Sequence, residues 1–406
     1  MILSSSALLY RKKILQEMAN ATNENDISQS IGQDILIYSD VAIYDEYDAD
    51  TDVAAKPDDS VKLPEISQDD VNSSDNGNID NTLDDTDRED IYVGQDKEFT
   101  FIALGEIMLG NEDATKYDFI SSFRDVAKHT ADADFTIASL STNIVDLDKL
   151  KDVKNKYIVT SSVIKSFETL GVDAINVATD HMVDYSKTIF DSTIDILRKN
   201  NLNVMGLYND VIYAENDGIK VAFIGVNNEV IGSYYKYTSY GILMYDDYMT
   251  NLKALIADTK QKADFVVIVT HLGLENKQTV TSVMSWFYKA LINAGADMVL
   301  GNHALGSYPI TMHNGKPIIY SLSYLVTDSK YEEAHKSGIY KFTLDVNGAL
   351  KSIEIVPIYS TKDKRVVLYS EYNLNDSMNF LRRISEKKYD GVNMQIVENK
   401  LLVEFK

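Results

Sequence analysis

The stretch that most narrows what this chain can fold into is Ala263–Glu275, ADFVVIVTHLGLE. Phe265 to Val269 is an unbroken apolar, β-branched run, which reads as a strand covered on both faces. It ends abruptly in Thr270, His271, Leu272, Gly273, Leu274 and Glu275. A histidine and a carboxylate four residues apart, with a glycine between them, therefore lie just past the carboxyl end of a buried strand. In open α/β sheets that edge is where ligands bind. The pattern recurs. Ala174–Ala178 runs into Thr179, Asp180, His181 and Asp184, Met298–Leu300 runs into Gly301, Asn302 and His303, and Phe99–Leu104 runs into Gly105 and Glu106. Four strand ends that each deliver a His, Asp or Glu predict one shared pocket.

Between these strands the period changes to that of helices. Asp118–Thr130, Ser162–Leu170 with Ser162 as a candidate N-cap, Lys187–Asn200, Leu252–Lys262 and Val280–Ala294 read as helices. Phe135–Leu140, Val204–Gly206, Lys220–Val226 and Ile318–Tyr320 read as further strands. Ile339–Val346 and Leu350–Val356, joined at Asn347-Gly348, read as a hairpin. The fold class is α/β, with strands feeding helices and antiparallel strands closing the chain. There is no internal repeat and no sustained heptad.

Composition divides the chain. The formal charge is −23, but residues 21–97 hold 22 acidic and 4 basic residues, so −18 falls there and −5 on the rest. That segment is rich in Asp, Asn and Ser and reads as an acidic disordered linker, with Ile35–Tyr44 the only stretch in it able to order locally. A flexible coil of that length spans on the order of 50 Å. Its charge argues against a nucleic-acid partner. Residues 1–20 fit two readings, an amphipathic helix or the remnant of a membrane anchor. Residues 98–360 form the expected folded domain, and 361–406 an extension packed on it. The absence of cysteine excludes disulfides, thiolate metal sites and a cysteine nucleophile. No nucleophile elbow, P-loop, dinucleotide fingerprint or His-Glu-x-x-His is present.

The order of motifs from Phe99 to Ile358 resembles the CapA family of poly-γ-glutamate capsule proteins. The family's Gly-Asp strand end is Gly105-Glu106 here, and its Asn-Leu-Glu is Ser139-Leu140-Ser141. Its Ala-Asn-Asn-His followed by Asp is Ala178, Thr179, Asp180, His181 and Asp184. His-x-Gly-x-Glu is intact as His271, Gly273 and Glu275. Gly-x-His-Pro-His becomes Gly301, His303, Ala304 and Leu305, and GKPIIYSLSY ends in Ser323 and Tyr324. The resemblance implies a metallophosphatase-like (calcineurin-like) α/β/β/α sandwich with mixed sheets.

It also implies a divalent metal (Mn, Fe or Zn) held by Glu106, Asp180, His181, His271 and His303, with His271 or Glu275 carrying a proton. The departures at 139, 141 and 305 point to a single-metal site rather than a dinuclear one. The implied role is in capsule or poly-γ-glutamate synthesis at the bacterial cell surface, as a metal-assisted hydrolase or transferase on a cell-envelope polymer. A non-catalytic relative that binds polymer or a capsule-assembly partner remains the alternative.

Bland readings stand beside the functional ones. His271 with Glu275, and His181 with Asp184, also read as turn caps. Glu106 reads as a solvated strand-end acid, and His303 as a satisfied polar residue. His129, His313 and His335 are expected at the surface. The tyrosines of 234–248 read as an insertion packing on the domain or as a platform for polymer.

Overall fold

The computed structural model describes residues 97–110, 119–146, 157–208, 210–228, 240–244, 251–273, 280–304, 306 and 308–406. The segment expected at 1–20 and the linker expected at 21–97, but for Lys97, lie outside these residues. Among the described residues no helix is long and apolar enough to cross a membrane.

In chain order the first elements are β1 (Phe99–Met108), α1 (Phe119–Ala127), β2 (Phe135–Leu140), β3 (Asn143–Val145), β4 (Ile158–Thr160) and α2 (Ile164–Leu170). Then come β5 (Ala174–Asn176), α3 (Lys187–Lys199), β6 (Asn203–Met205), β7 (Ile212–Asn216) and β8 (Ile219–Asn227). The middle holds α4 (Lys253–Lys260), β9 (Phe265–Leu272), α5 (Ser282–Ala294), β10 (Met298–His303), β11 (Thr311–His313), β12 (Lys316–Ile319) and β13 (Tyr324–Thr327). The chain closes with β14 (Lys336–Leu344), β15 (Leu350–Ser360), β16 (Val366–Leu368), α6 (Tyr369–Tyr372), α7 (Leu374–Ile384), β17 (Val392–Val397) and β18 (Lys400–Phe405).

Two large sheets result. Sheet I runs β17-β18-β15-β14-β1-β2-β5-β6, with β13 also on β1 and β16 on β15. Sheet II runs β11-β12-β10-β9-β8-β7. In sheet I, β1, β2, β5 and β6 are parallel, whereas β14, β15, β18 and β17 are antiparallel. Sheet II is parallel from β8 through β9 and β10 to β12, with antiparallel β7 and β11 at its edges.

Side-chain alternation sorts the layers. Phe101, Ile137, Phe223, Val267, Val269 and Leu300 share the core between the sheets. Phe101 meets Phe223 edge-on across that core at 5.4 Å. Ile102, Leu104, Leu140 and Ile175 face the other way, against Phe123 of α1, Phe167 of α2 and Ile194 of α3. On the far side, α4 lies on β9 and α5 on β10. The layers are helix, sheet, sheet and helix, the α/β/β/α sandwich with mixed sheets that the sequence led us to expect. The parallel strands of both sheets present their carboxyl ends at one rim.

Several boundaries differ from expectation. β1, β9 and β10 continue to Met108, Leu272 and His303, through the polar residues expected just past the strand ends. β5 stops at Asn176, whose Oδ1 accepts from the Ala178 amide at 3.1 Å and turns the chain. Ser162 caps no α-helix. It lies in a 3-10 turn, Ser161–Val163, and its hydroxyl is 2.6 Å from that of Thr160. The hairpin of β14 and β15 is present, and Asp345 Oδ1 accepts from the Asn347 and Ala349 amides at 2.8 and 3.0 Å. His335 is buried rather than superficial, with ring nitrogens 2.7 and 2.9 Å from the carbonyl oxygens of Ser360 and Ser329. Of the tyrosine run, Tyr240 packs 5.4 Å from Phe190, while 234–239 and 245–248 lie outside the described residues.

Candidate metal centre

Where the strands end, the apolar core between the sheets gives way to a polar layer. Glu106, Ser139 and Asn176 come from sheet I, and Asn227, His271 and Asn302 from sheet II; all six are buried. Parity explains most of them. His271 follows Phe265, Val267 and Val269 at every second residue of β9, and Asn302 follows Met298 and Leu300 on β10.

Two residues arrive by breaking parity. On β1, Ile102 and Leu104 face the helices, and so do Ile107 and Leu109. One residue has been inserted between them. The register against β2 slips between Ala103 and Glu106, a bulge that turns Glu106 inward. Gly105 makes this feasible, because a Cβ there would sit 2.6 Å from the Ser323 carbonyl oxygen. At the end of β10, His303 has φ of +76°, a left-handed conformation that costs a non-glycine residue on the order of 1 kcal/mol. This swings its ring to 4.5 Å from that of His271.

Asp180 sits at the centre. It follows β5, and its Oδ1 accepts from the His181 amide at 2.8 Å and from the Ser141 hydroxyl at 3.3 Å. His271 Nε2 is 3.2 Å from Asp180 Oδ1, and His303 Nδ1 is 3.8 Å from Asp180 Oδ2. One donor atom from each of Asp180, His271 and His303 lies within 4.8 Å of the others. Glu106 Oε2 lies 3.2 Å from the other side of the His271 ring, at Nδ1. His181 Nε2 is 3.4 Å from Asp180 Oδ2, its Nδ1 is 2.8 Å from Asp184 Oδ2, and its ring stacks on Tyr157 at 3.6 Å.

The electrostatics follow from this crowding. Burial opposes a charge on His271, but Glu106 and Asp180 outweigh it and push its pKa up to about 10. Burial likewise works against ionised Asp180, yet His271 and His181 hold it well below the ordinary carboxylate range. His181 is raised against its own burial by Asp180 and Asp184. Both Glu106 oxygens and both His271 nitrogens are buried and make no hydrogen bond of good geometry, despite separations of 3.2 Å. Close donor atoms aimed past one another suit a shared cation better than mutual pairing. One carboxylate and two imidazoles is a donor set for Zn, Mn or Fe(II) rather than for Ca or Mg.

Of the five ligands expected from sequence, Asp180, His271 and His303 form the tight group. Glu106 lies behind His271, and His181 beyond Asp180. Glu275 and Leu305 lie outside the described residues. Ser139 and Ser141 are engaged otherwise. Ser141 donates to Asp180, and Ser139 Oγ accepts from Asn302 Nδ2 at 3.0 Å and from Asn176 Nδ2 at 3.2 Å. The sequence reading named Asn302 at a strand end without giving it a role, and passed over Asn176 and Tyr157. The parity of Asn302 with Met298 and Leu300 was the available signal for the first.

A family model described as bacterial capsule synthesis protein PGA_cap matches residues 100–329, which span the whole cluster. The chain belongs to the PGA_cap family. Among curated relatives, the capsule biosynthesis protein CapA of Bacillus anthracis is 25% identical over 280 residues, 65% of this chain and 68% of that protein. The PGA biosynthesis protein CapA of Bacillus subtilis (strain 168) is 25% identical over 269 residues, 63% of this chain and 70% of that one. Among solved structures, the NAD nucleotidase of Haemophilus influenzae aligns with a TM-score of 0.41 at 10% identity, over 71% of this chain and 63% of that chain.

Proposed function

We propose that this PGA_cap protein acts in capsule or poly-γ-glutamate synthesis at the bacterial cell envelope. We further propose that its strand-end cluster holds one divalent cation used in hydrolysis or group transfer on an envelope polymer. The observation that carries this reading is the meeting of Asp180, His271 and His303 within 4.8 Å, beside buried carboxylate and imidazole atoms that pair poorly with one another. The CapA relatives, named for capsule and PGA biosynthesis, support the setting.

Asp180, His271 and His303 would hold the ion. A bound ion of this kind supplies Lewis acidity and a water of lowered pKa. Glu106 stands 3.2 Å from His271 Nδ1, which leaves Nε2 on the open side for ligation. His271 is fully buried with a carboxylate at each nitrogen, so it is poorly placed to exchange protons with solvent. His181 is better placed. Its side chain is 20% exposed and its Nδ1 is bonded to the half-exposed Asp184. Glu275, the alternative proton carrier expected from sequence, lies outside the described residues. Since both serines of the 139–141 stretch are committed to hydrogen bonds, one ion fits better than two.

The test is metal analysis of the purified protein. Near-stoichiometric Zn, Mn or Fe that is lost in His271→Ala and in Asp180→Asn supports the reading. Absence of metal, with thermal stability unmoved by chelator or by added Zn²⁺, overturns it and favours a polymer-binding role without chemistry.

A further inference from the structure

We propose that Ser139 and Asn302 form a latch between the two sheets, and that this latch sets the spacing on which the Glu106–His271 contact depends. Both are positioning residues. The inference rests on the reading of Asp180, His271 and His303 as an ion site, and its test separates the two.

Four residues make a closed figure. In sheet I, Ser139 stands beside Glu106 in register, and in sheet II, Asn302 stands beside His271. Register neighbours on parallel strands lie about 4.8 Å apart on the same face. Two cross-sheet contacts complete the figure: Asn302 Nδ2 to Ser139 Oγ at 3.0 Å, and Glu106 Oε2 to His271 Nδ1 at 3.2 Å. All four residues are buried. The first contact is an aligned hydrogen bond between residues 163 apart in sequence, and the second is not aligned. The aligned one is the element with directional stiffness.

The apolar core beneath holds the sheets together but is non-directional, and face-to-face sheets sit about 10 Å apart with tolerance for sliding. A hydrogen bond weakens steeply when bent or stretched, so it registers small offsets that apolar packing does not. Asn176 Nδ2 also donates to Ser139 Oγ, at 3.2 Å, which ties β5 to the same atom. Asp180 follows β5 by four residues and His303 ends β10, so this one hydroxyl ties together two of the strands that supply the cluster. A purely structural alternative exists, in which the bond only satisfies buried polar groups. The two differ in what happens when the polar groups are removed together.

Ser139→Ala alone strands two buried amides and should lower stability. Ser139→Ala combined with Asn302→Leu removes the acceptor and one of its two donors at nearly constant volume, leaving only Asn176 Nδ2 stranded, and should recover part of that loss. If the latch positions the site, the double variant still binds Co²⁺ about tenfold or more weakly, the size seen when an outer partner of a metal ligand is lost. Its visible Co²⁺ absorption should also change shape. Affinity and spectrum equal to wild type in the double variant overturn the proposal. Should the double variant not fold, Ser139→Ala against Ser139→Thr decides: Thr keeps the hydroxyl and must restore both readouts, and no difference between them overturns the latch.

If wild type itself binds no Co²⁺, the ion reading fails, and the latch is then read without metal. The His271 ring signals in NMR should move in Ser139→Ala and return in Ser139→Thr; signals that stay in place overturn it.

Discussion

His271 has a carboxylate against each ring nitrogen, and this gives the metal-free protein a definite pH signature. Its pKa in the fold is about 10, against 6.5 for the free side chain. The folded state therefore holds the proton more tightly than the unfolded one. The stabilisation is complete below pH 6.5 and is lost progressively as pH rises toward 10. Asp180 runs the other way: its contribution is present above its ordinary value of 3.8 and is lost as pH falls. Denaturant unfolding in chelator should thus show a midpoint that declines from pH 6.5 to about 10, and His271→Gln should flatten that decline. A wild-type midpoint level across this range contradicts the assignment. At this scale the sequence was informative about residue type and poor about partnership. His271 and His303 could be picked out because each ends an apolar run. The burial of His335 between two carbonyl oxygens, and the Ser139 hydroxyl serving Asn302 and Asn176, depend on contacts through space that no local spacing encodes.

Among the elements, β1 does most to place the site, through an irregularity. It pairs with β14 up to Leu104 and with β13 from Glu106 onward, and the bulge lies at the exchange. Gly105→Ala would push a Cβ to 2.6 Å from the Ser323 oxygen and 2.9 Å from the Leu325 nitrogen. Both are backbone atoms that cannot step aside alone. We expect a loss of about 1–3 kcal/mol of stability, as for an overpacked core position. We also expect weaker Zn²⁺ binding, since Glu106 is re-aimed. Urea unfolding and isothermal titration measure the two, and an alanine variant unchanged in both would show the bulge to be incidental. The middles of the strands were legible from β-branched runs. Their ends were not, because Glu106, His271 and His303 stay in the ladder despite polar side chains. The inserted residue that reverses strand parity is marked only by Gly105, which reads equally as the end of the strand.

Across the whole molecule the donors are divided by chemistry. Asp180 lies in the turn after a strand of sheet I, the same sheet that carries Glu106 behind His271, whereas the two ligand imidazoles, His271 and His303, lie at the carboxyl ends of strands of sheet II. The segment beyond the family match adds β14, β15, β17 and β18 to sheet I and contributes Phe380, Leu381 and Leu401 to the core between the sheets. Neither half of the chain offers a complete coordination sphere. If the proposed ion is held there, a growing polypeptide could not capture it until residue 303 had been made and the two sheets had closed, so metallation would come late and the ion would not serve as a template. Refolding in stopped flow should proceed at the same rate with or without Zn²⁺, while unfolding slows in its presence. Acceleration of refolding by Zn²⁺ would mean that the cation enters early, and that the order of assembly is the reverse.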